Sequence, residues 1–165
     1  MTDEVKELGL KISLGNIFER TSSANISEIF DKVKRNLLVD YGEFGMHLPD
    51  VDLVIFDPSD GYVLAVVSIK VTLRERIAQT GYWKLKLSSA PVTIDIKVYF
   101  ITLDEDETLT FHKPSKKGRA IVEFDTDGSY VMSEKNIEES NKVKKFDKFI
   151  SDIKVISQSR KDSSR

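Results

Sequence analysis

The fold is decided by the stretch PDVDLVIFDPSDGYVLAVVSIKVTLRER, residues 49–76. Two nearly continuous apolar runs, LVIF and YVLAVVSI, flank a turn made of Asp, Pro, Ser and Gly. Short apolar runs rich in Val and Ile around such a turn predict an antiparallel strand pair. Because the runs are apolar throughout rather than alternating, we expect both faces of the sheet to be covered.

The rest of the chain predicts helices and further strands around this pair. Asn25 and Glu28 stand in capping-box spacing at the start of an amphipathic helix, and residues 93–104 are typical of another buried strand. Residues 119–134 predict two strand-like runs around a DTDG turn. A closing helix begins near Val143. The order predicts an α/β protein whose central mixed β-sheet is flanked by helices in three layers.

Length and composition predict one globular domain, which we place at residues 1–156. The chain has 165 residues, 40% of them hydrophobic and 32% charged, and no apolar run approaches a membrane span. We therefore expect a soluble, cytoplasmic protein. The absence of cysteine excludes disulfides and thiolate zinc sites, so that a metal would be bound mainly by oxygen. Residues 157–165 are polar, small and basic, and predict a disordered tail.

The two strands place candidate functional residues at one edge of the sheet. If the turn is the five residues 57–61, Asp50 faces Ser68 across the pair. Ser68 and Lys70 then share a face, with Asp50 within about 5 Å. A carboxylate beside a lysine is typical of metal-assisted phosphodiester hydrolysis, in which the carboxylate holds magnesium and the lysine offsets charge developing on phosphorus.

The motif of Pro49-Asp50 followed, after a gap of suitable length, by Ser68-Ile69-Lys70 resembles that of the PD-(D/E)xK nucleases, which include many type II restriction endonucleases. The resemblance extends to the order of elements and covers most of the chain. It implies a restriction-endonuclease-like core and Mg²⁺-dependent cleavage of double-stranded DNA. It also implies that Asp50 and the backbone carbonyl of Ile69 bind the metal, and that Lys70 is the catalytic lysine.

Ser68 departs from the commonest family pattern, which has Asp or Glu at this position. A hydroxyl is a poor substitute for a carboxylate in binding magnesium. Similar restriction enzymes with an SxK motif take a carboxylate from a neighbouring helix. The candidates here are Glu28, which we expect to be a metal ligand, and then Glu75, although each could instead cap its own helix.

Basic residues after Lys70 predict a DNA-binding face. The run TLRER is similar to the segment that follows the catalytic lysine in several restriction enzymes, where basic side chains meet the DNA backbone. Arg74 and Arg76 belong to this run, and Lys84 and Lys86 follow on the same predicted helix. The alternative for the two arginines is an ordinary solvated helix face.

The resemblance leaves the working form of the enzyme open. The chain could act as a homodimer, or as the cleavage subunit of an enzyme whose larger partner recognises the DNA sequence, as in a heterodimeric type IIS enzyme. The alternative functions are a non-catalytic interaction domain that keeps the nuclease-like fold, and a structure-selective nuclease acting in repair or at DNA junctions. The net charge of −2 predicts weak DNA binding by the chain alone.

Overall fold

The strand pair predicted from residues 49–76 lies at the centre of a six-stranded sheet in the computed structural model, which describes residues 1–20, 27–73 and 76–163. The strand order is β1-β4-β5-β6-β7-β8, and β2 and β3 form a separate two-stranded ribbon. The strands are β1 (Lys11–Leu14), β2 (Val39–Asp40), β3 (Met46–His47), β4 (Leu53–Phe56), β5 (Val63–Lys70), β6 (Lys97–Thr102), β7 (Gly128–Val131) and β8 (Val143–Lys145).

Six α-helices are described, together with short 3₁₀ turns at Gly42–Phe44 and Phe146–Lys148. The helices are α1 (Thr2–Glu7), α2 (Gly15–Arg20), α3 (Glu28–Leu37), α4 (Arg76–Leu87), α5 (Lys117–Asp125) and α6 (Phe149–Ser163). None of the helices in the described ranges combines the length and apolar character needed to cross a membrane.

Helices cover both faces of the sheet, which confirms the predicted three-layer α/β architecture. Alternate residues of β4 point to opposite layers: Ile55 packs with α1 and α6, whereas Val54 packs with α2 and α3. Both side chains are completely buried. This two-sided burial explains why the strand is apolar at every position instead of every second one.

The sheet is mixed, with its parallel part following the hairpin. Strand β4 pairs antiparallel with β1 and β5, and strands β5 to β8 then run parallel. Parallel neighbours need a long crossover connection. Helix α5 forms the crossover connection between β6 and β7. Because residues 117–125 are helical, the prediction of a strand before the DTDG turn is wrong.

The C-terminal segment also corrects a prediction. We expected a disordered tail from residue 157, but α6 continues through Ser163 and Ser157 is buried. Arg160 explains the order, because its guanidinium donates to Asp57 at 2.7 Å, pairs with Asp60, and lies 4.1 Å from the ring centroid of Tyr62. The helix is thus attached to the β4–β5 turn.

Replacing Arg160 with alanine should lower the free energy of unfolding by about 1–2 kcal/mol at neutral pH, because two carboxylates lose their cation. Burial alone would raise the pKa of Asp57, but hydrogen bonds from Ser59 and Arg160 outweigh it and hold that pKa below its usual 3.8. Because the pKa of Asp57 is lower in the folded than in the unfolded protein, its ionised carboxylate stabilises the fold at any pH above the unfolded-state pKa. This stabilisation is lost as the pH falls through the folded-state pKa. The difference between the two proteins should therefore shrink below about pH 4.

Urea unfolding of both proteins from neutral to acidic pH measures this difference. Lys161→Ala, which removes the neighbouring exposed cation, is the matched control and should leave stability nearly unchanged. Equal stability of the Arg160→Ala variant and the native protein at neutral pH would show that α6 is not held by this contact.

Candidate active site

The observed strand pairing brings Asp52, rather than Asp50, opposite Ser68. Leu53 pairs with Val67, and the backbone N–H of Asp52 donates to the carbonyl of Val67 at 3.0 Å. Continuing the antiparallel pairing by one residue places Asp52 across from Ser68. The predicted pairing of Asp50 with Ser68 is therefore wrong by two positions.

Two local features at the other end of the hairpin account for this shift. The turn is one residue longer than assumed, so that Phe56 pairs with Val63 instead of Tyr62. A β-bulge between Ile55 and Phe56 adds the second residue. Because side chains alternate with a period of two, a shift of two positions keeps a carboxylate on the expected face.

Asp52 and Lys70 form the central contact of the site. The Oδ2 atom of Asp52 accepts a hydrogen bond from the Lys70 ammonium at 2.7 Å and another from the Ile69 backbone N–H at 2.7 Å. The side chain of Lys70 is 18% exposed and that of Asp52 is 42% exposed. The lysine is thus largely enclosed while its carboxylate partner opens to solvent.

An open cleft of about 430 Å³ lies beside this pair and carries three carboxylates. Asp50 and Asp52 enter it from the segment before β4, and Glu19 enters it from α2. The complete lining is Leu14, Asn16, Glu19, Asp50, Val51, Asp52, Leu53 and Ile69. The concentration of acidic groups makes the cleft a candidate cation site in the neighbourhood of a lysine.

Glu19 reaches the cleft because Gly15 fixes the start of α2 against the segment before β4. The Gly15 N–H donates to the Asp52 carbonyl at 2.9 Å. A Cβ atom at Gly15 would lie 1.9 Å from the carbonyl oxygen of Val51, so that no other residue fits this close approach. Sequence reasoning missed Glu19, since only the packing of β1 on β4 reveals its proximity.

Helix α4 supports the site from the side. Gln79 donates to the Asp50 carboxylate at 2.8 Å, and Thr80 donates to the Ser68 hydroxyl at 3.3 Å. Ser68 is only 3% exposed and faces this helix. The hydroxyl thus links the strand end to α4, and the predicted catalytic role of Ser68 stays a prediction.

The comparisons with known proteins agree with this architecture. The model of a family described as BsaWI restriction endonuclease type 2 matches residues 29–152, which include α3, the hairpin, α4 and the parallel strands. The chain belongs to this family. Its membership confirms the restriction-endonuclease resemblance that the motif predicted.

Relatives of this BsaWI family member carry related names. The chain is 38% identical to the putative type II restriction enzyme MjaVIP of Methanocaldococcus jannaschii over 159 residues, 93% of this chain and 68% of that protein. It is 46% identical to the probable type II restriction enzyme HpyAORF263P of Helicobacter pylori over 88 residues. That second match covers 53% of this chain and 45% of the relative.

Two solved structures share the fold. A BsaWI–DNA complex superimposes with a TM-score of 0.51 at 14% identity, covering 95% of this chain and 57% of that one. A complex of the restriction endonuclease PspGI with substrate DNA gives 0.52 at 17% identity, covering 96% of this chain and 58% of the other. Nearly all of this chain thus corresponds to somewhat more than half of each neighbour.

The structure does not bring Glu28 to the cleft. Glu28 starts α3 and pairs with Lys32 on the surface at 3.2 Å. Lys32 packs against Gly61 in the β4–β5 turn, and Asn36 donates to the Gly61 carbonyl at 2.9 Å. Gly61 and Lys70 are separated by most of β5, about 30 Å at the usual strand rise. The expectation that Glu28 binds the metal is therefore not supported by its position.

Three further predicted residues stand between Leu73 and Ile77 in the sequence. Arg74 and Glu75 fall outside the described residues. Arg76 is the first residue of α4, and its side chain is likewise outside what the structure describes. Their predicted roles in catalysis and DNA binding stay predictions.

The two predicted DNA-binding lysines of α4 are engaged within the protein. Lys84 pairs with Asp127 at 2.7 Å, and both side chains are about one-fifth exposed. Asp127 also accepts from the Val98 N–H at 2.8 Å. Lys86 lies over the rings of Tyr41 and Tyr82 at 4.7 and 5.6 Å. Lys84 thus links α4 to the residue before β7, and its predicted contact with DNA stays a prediction.

The donor chemistry of the cleft fits a hard cation, although the ligand set is not assembled. Among the described residues, no three acidic or histidine side chains converge closely enough to hold a metal ion. The available donors are carboxylate oxygens of Glu19, Asp50 and Asp52 and the carbonyl of Ile69, all oxygen ligands of the kind that magnesium prefers.

Replacing Lys84 with alanine should lower the free energy of unfolding by about 1–2 kcal/mol, because Asp127 would lose the nearer of its two cations at a largely buried position and keep only Lys97 at 3.7 Å. The salt dependence of DNA binding should stay unchanged, since this lysine is not available to phosphate. Urea unfolding and DNA titrations at several salt concentrations measure the two effects.

Lys154→Ala, at an exposed position on α6, is the control and should change neither property. If the Lys84→Ala variant kept full stability but lost part of the salt dependence, the sequence-based prediction of a DNA contact would be correct after all.

Proposed function

We propose that this chain is a Mg²⁺-dependent endonuclease of the type II restriction class, acting on double-stranded DNA in the cytoplasm. The observation that carries the proposal is the Asp52–Lys70 pair at the end of the hairpin, beside a cleft with three carboxylates. Membership of the BsaWI family and the names of the relatives support it. The two structural neighbours, both solved with DNA, support the substrate class.

In this proposal Asp52, the carbonyl of Ile69 and one or both of Glu19 and Asp50 hold the cation. When bound, magnesium supplies Lewis-acid polarisation of a phosphoryl oxygen and lowers the pKa of a bound water. Asp50 stays a metal ligand in this proposal, as the family resemblance implied. Asp52 is added as the ligand that contacts Lys70. Glu19 takes the place that Glu28 was expected to fill.

Lys70 acts through its charge and its fixed position. The ammonium lies against Asp52, and the enclosed stem leaves it little freedom to move. A preorganised cation next to the reacting phosphate stabilises the negative charge that develops in the transition state, and it can orient the attacking water. Gln79 orients the Asp50 carboxylate by a hydrogen bond. This bond depends on the position of α4, which carries Gln79.

The assembly that recognises DNA is a separate part of the proposal. The chain covers 68% of MjaVIP, 45% of the Helicobacter relative and under 60% of the two structural neighbours. A homodimer or a complex with a larger recognition subunit would each provide a sequence-reading surface. Tight, sequence-specific binding by the purified chain would favour the homodimer, and weak, unspecific binding the subunit.

Incubation of the purified chain with plasmid and genomic DNA, with magnesium or with EDTA, tests the activity. We expect magnesium-dependent cleavage that falls at least about 100-fold in both variants: Lys70→Ala removes the cation beside the reacting phosphate, and Asp52→Asn removes a charge that holds the metal. Ser68→Ala, which removes only the hydroxyl contact with Thr80, is the matched control and should keep most of the activity.

Cleavage that persists in EDTA or in Lys70→Ala would contradict the assigned mechanism. Intact DNA throughout, together with no saturable magnesium binding in the millimolar range, would instead favour the non-catalytic interaction domain. The interaction-domain alternative rests on one observation: among the described residues, the carboxylates of the cleft do not converge on a metal position.

A further inference from the structure

A basic segment lies between β6 and α5 and includes the first residue of α5. It is not part of the candidate active site. We define residues 112–117, HKPSKK, as the basic arm. All of its residues are exposed. Lys113 and Lys117 make no hydrogen bond or ion pair with any residue that the structure describes, whereas Lys116 donates to the Asp106 carbonyl at 2.6 Å. Two cations of the arm are thus free for a partner.

A buried arginine holds the base of the arm. Arg119 is completely buried, and its guanidinium donates to the carbonyls of Leu109 and Glu138. The Glu138 N–H donates to the Thr110 carbonyl at 2.9 Å, and the Glu138 carboxylate accepts from the His112 N–H at 2.6 Å. The two ends of the arm are therefore joined through shared partners, which gives its exposed lysines a defined position on the protein.

The arm emerges at the same edge of the sheet as Lys70. Strands β5 and β6 are parallel, and Lys70 pairs with Thr102, the last residue of β6. A Cβ atom on Gly118, just after the arm, would lie 2.7 Å from the side chain of Ile77 in the first turn of α4. Helix α4 starts six residues after Lys70. The arm and the candidate active site are thus reached from the same side.

Two carboxylates of the acidic loop before the arm are engaged by groups outside the arm. Asp104 is 3% exposed and accepts hydrogen bonds from the N–H groups of Thr108 and Leu109. Glu107 pairs with Lys135 at 2.7 Å. Neither carboxylate pairs with Lys113 or Lys117, so that these two lysines keep their positive charge for an external anion.

We propose that the basic arm binds the phosphate backbone of duplex DNA beside the bond cleaved at the Asp52–Lys70 site. The inference rests on the proposed function, because the site and the arm would contact one duplex. Lysines act on phosphates as point charges and release condensed counterions from the DNA. The arm therefore supplies affinity without selecting a base sequence.

The test uses the double variant Lys113→Ala/Lys117→Ala and a matched control, Lys154→Ala/Lys161→Ala. The control removes the same charge from exposed positions on α6, across the sheet from α4 and α5. Binding of a labelled duplex is measured in EDTA at several salt concentrations, so that cleavage plays no part. The logarithm of the affinity decreases linearly with the logarithm of the salt concentration. We expect this dependence to become less steep, by about 2 in slope, in the arm variant only.

The loss of affinity should be equal for duplexes of unrelated sequence, as expected for phosphate contacts. Unfolding midpoints of both variants should match the native chain, since all four side chains are exposed. An unchanged slope in the arm variant, an equal change in the control, or no binding by the native chain at low salt would each overturn the proposal. Failure of the nuclease proposal is read separately, from cleavage by the native chain and by Lys70→Ala in magnesium.

Discussion

The contact between Asp52 and Lys70 depends on the register of one hairpin. Both residues sit where apolar strands meet solvent, and the ion pair offsets the hydration that the largely enclosed Lys70 ammonium loses there. Their pairing requires β4 and β5 to align to the residue, because a shift of one position would turn Asp52 to the opposite face. The completely buried side chains of Val54 and Ile55 enforce that alignment from both sides of the sheet.

The parallel strands explain why the candidate functional segments share one edge. Strands β5 and β6 both end at the edge that carries Lys70, and each is followed by a segment that leads into a helix. Open α/β sheets place their ligand sites at this carboxyl edge. The segment after β5 carries the start of α4, whereas the segment after β6 carries the acidic loop and the basic arm. Sheet topology thus gathers opposite charges that are distant in sequence.

Much of this arrangement could be predicted from the sequence, and the errors have definite causes. The two-sided sheet, the hairpin and the position of Lys70 beside a carboxylate at the sheet edge followed from apolar runs and a motif, which are local signals. The position of Asp52 opposite Ser68 could not be predicted. It depends on the turn length and on a bulge between Ile55 and Phe56, neither of which is evident from the residue pattern. The helical α5 was missed because RAIVEF suits a strand as well as a helix, and only the parallel pairing of β6 with β7 decides.

Charged residues were the hardest to interpret, because their role depends on what surrounds them. Lys84 and Lys113 are the same residue type in basic surroundings, yet the first is paired with Asp127 and the second is exposed. Arg119 follows the lysines of the basic arm in the sequence and is nevertheless completely buried. Burial and pairing are tertiary properties, so that counting charges along the chain overestimates the cations that can reach DNA.

The same distinction explains how a chain of net charge −2 could approach DNA at an acidic cleft. Three carboxylates at the cleft repel phosphate until a cation neutralises them. With Asp104 of the β6–α5 loop buried and Glu107 paired, exposed lysines at the same edge would add a local positive field that the net charge conceals. A duplex held by such lysines would reach the cleft only with its metal in place, so that backbone binding and metal binding become coupled steps of one encounter.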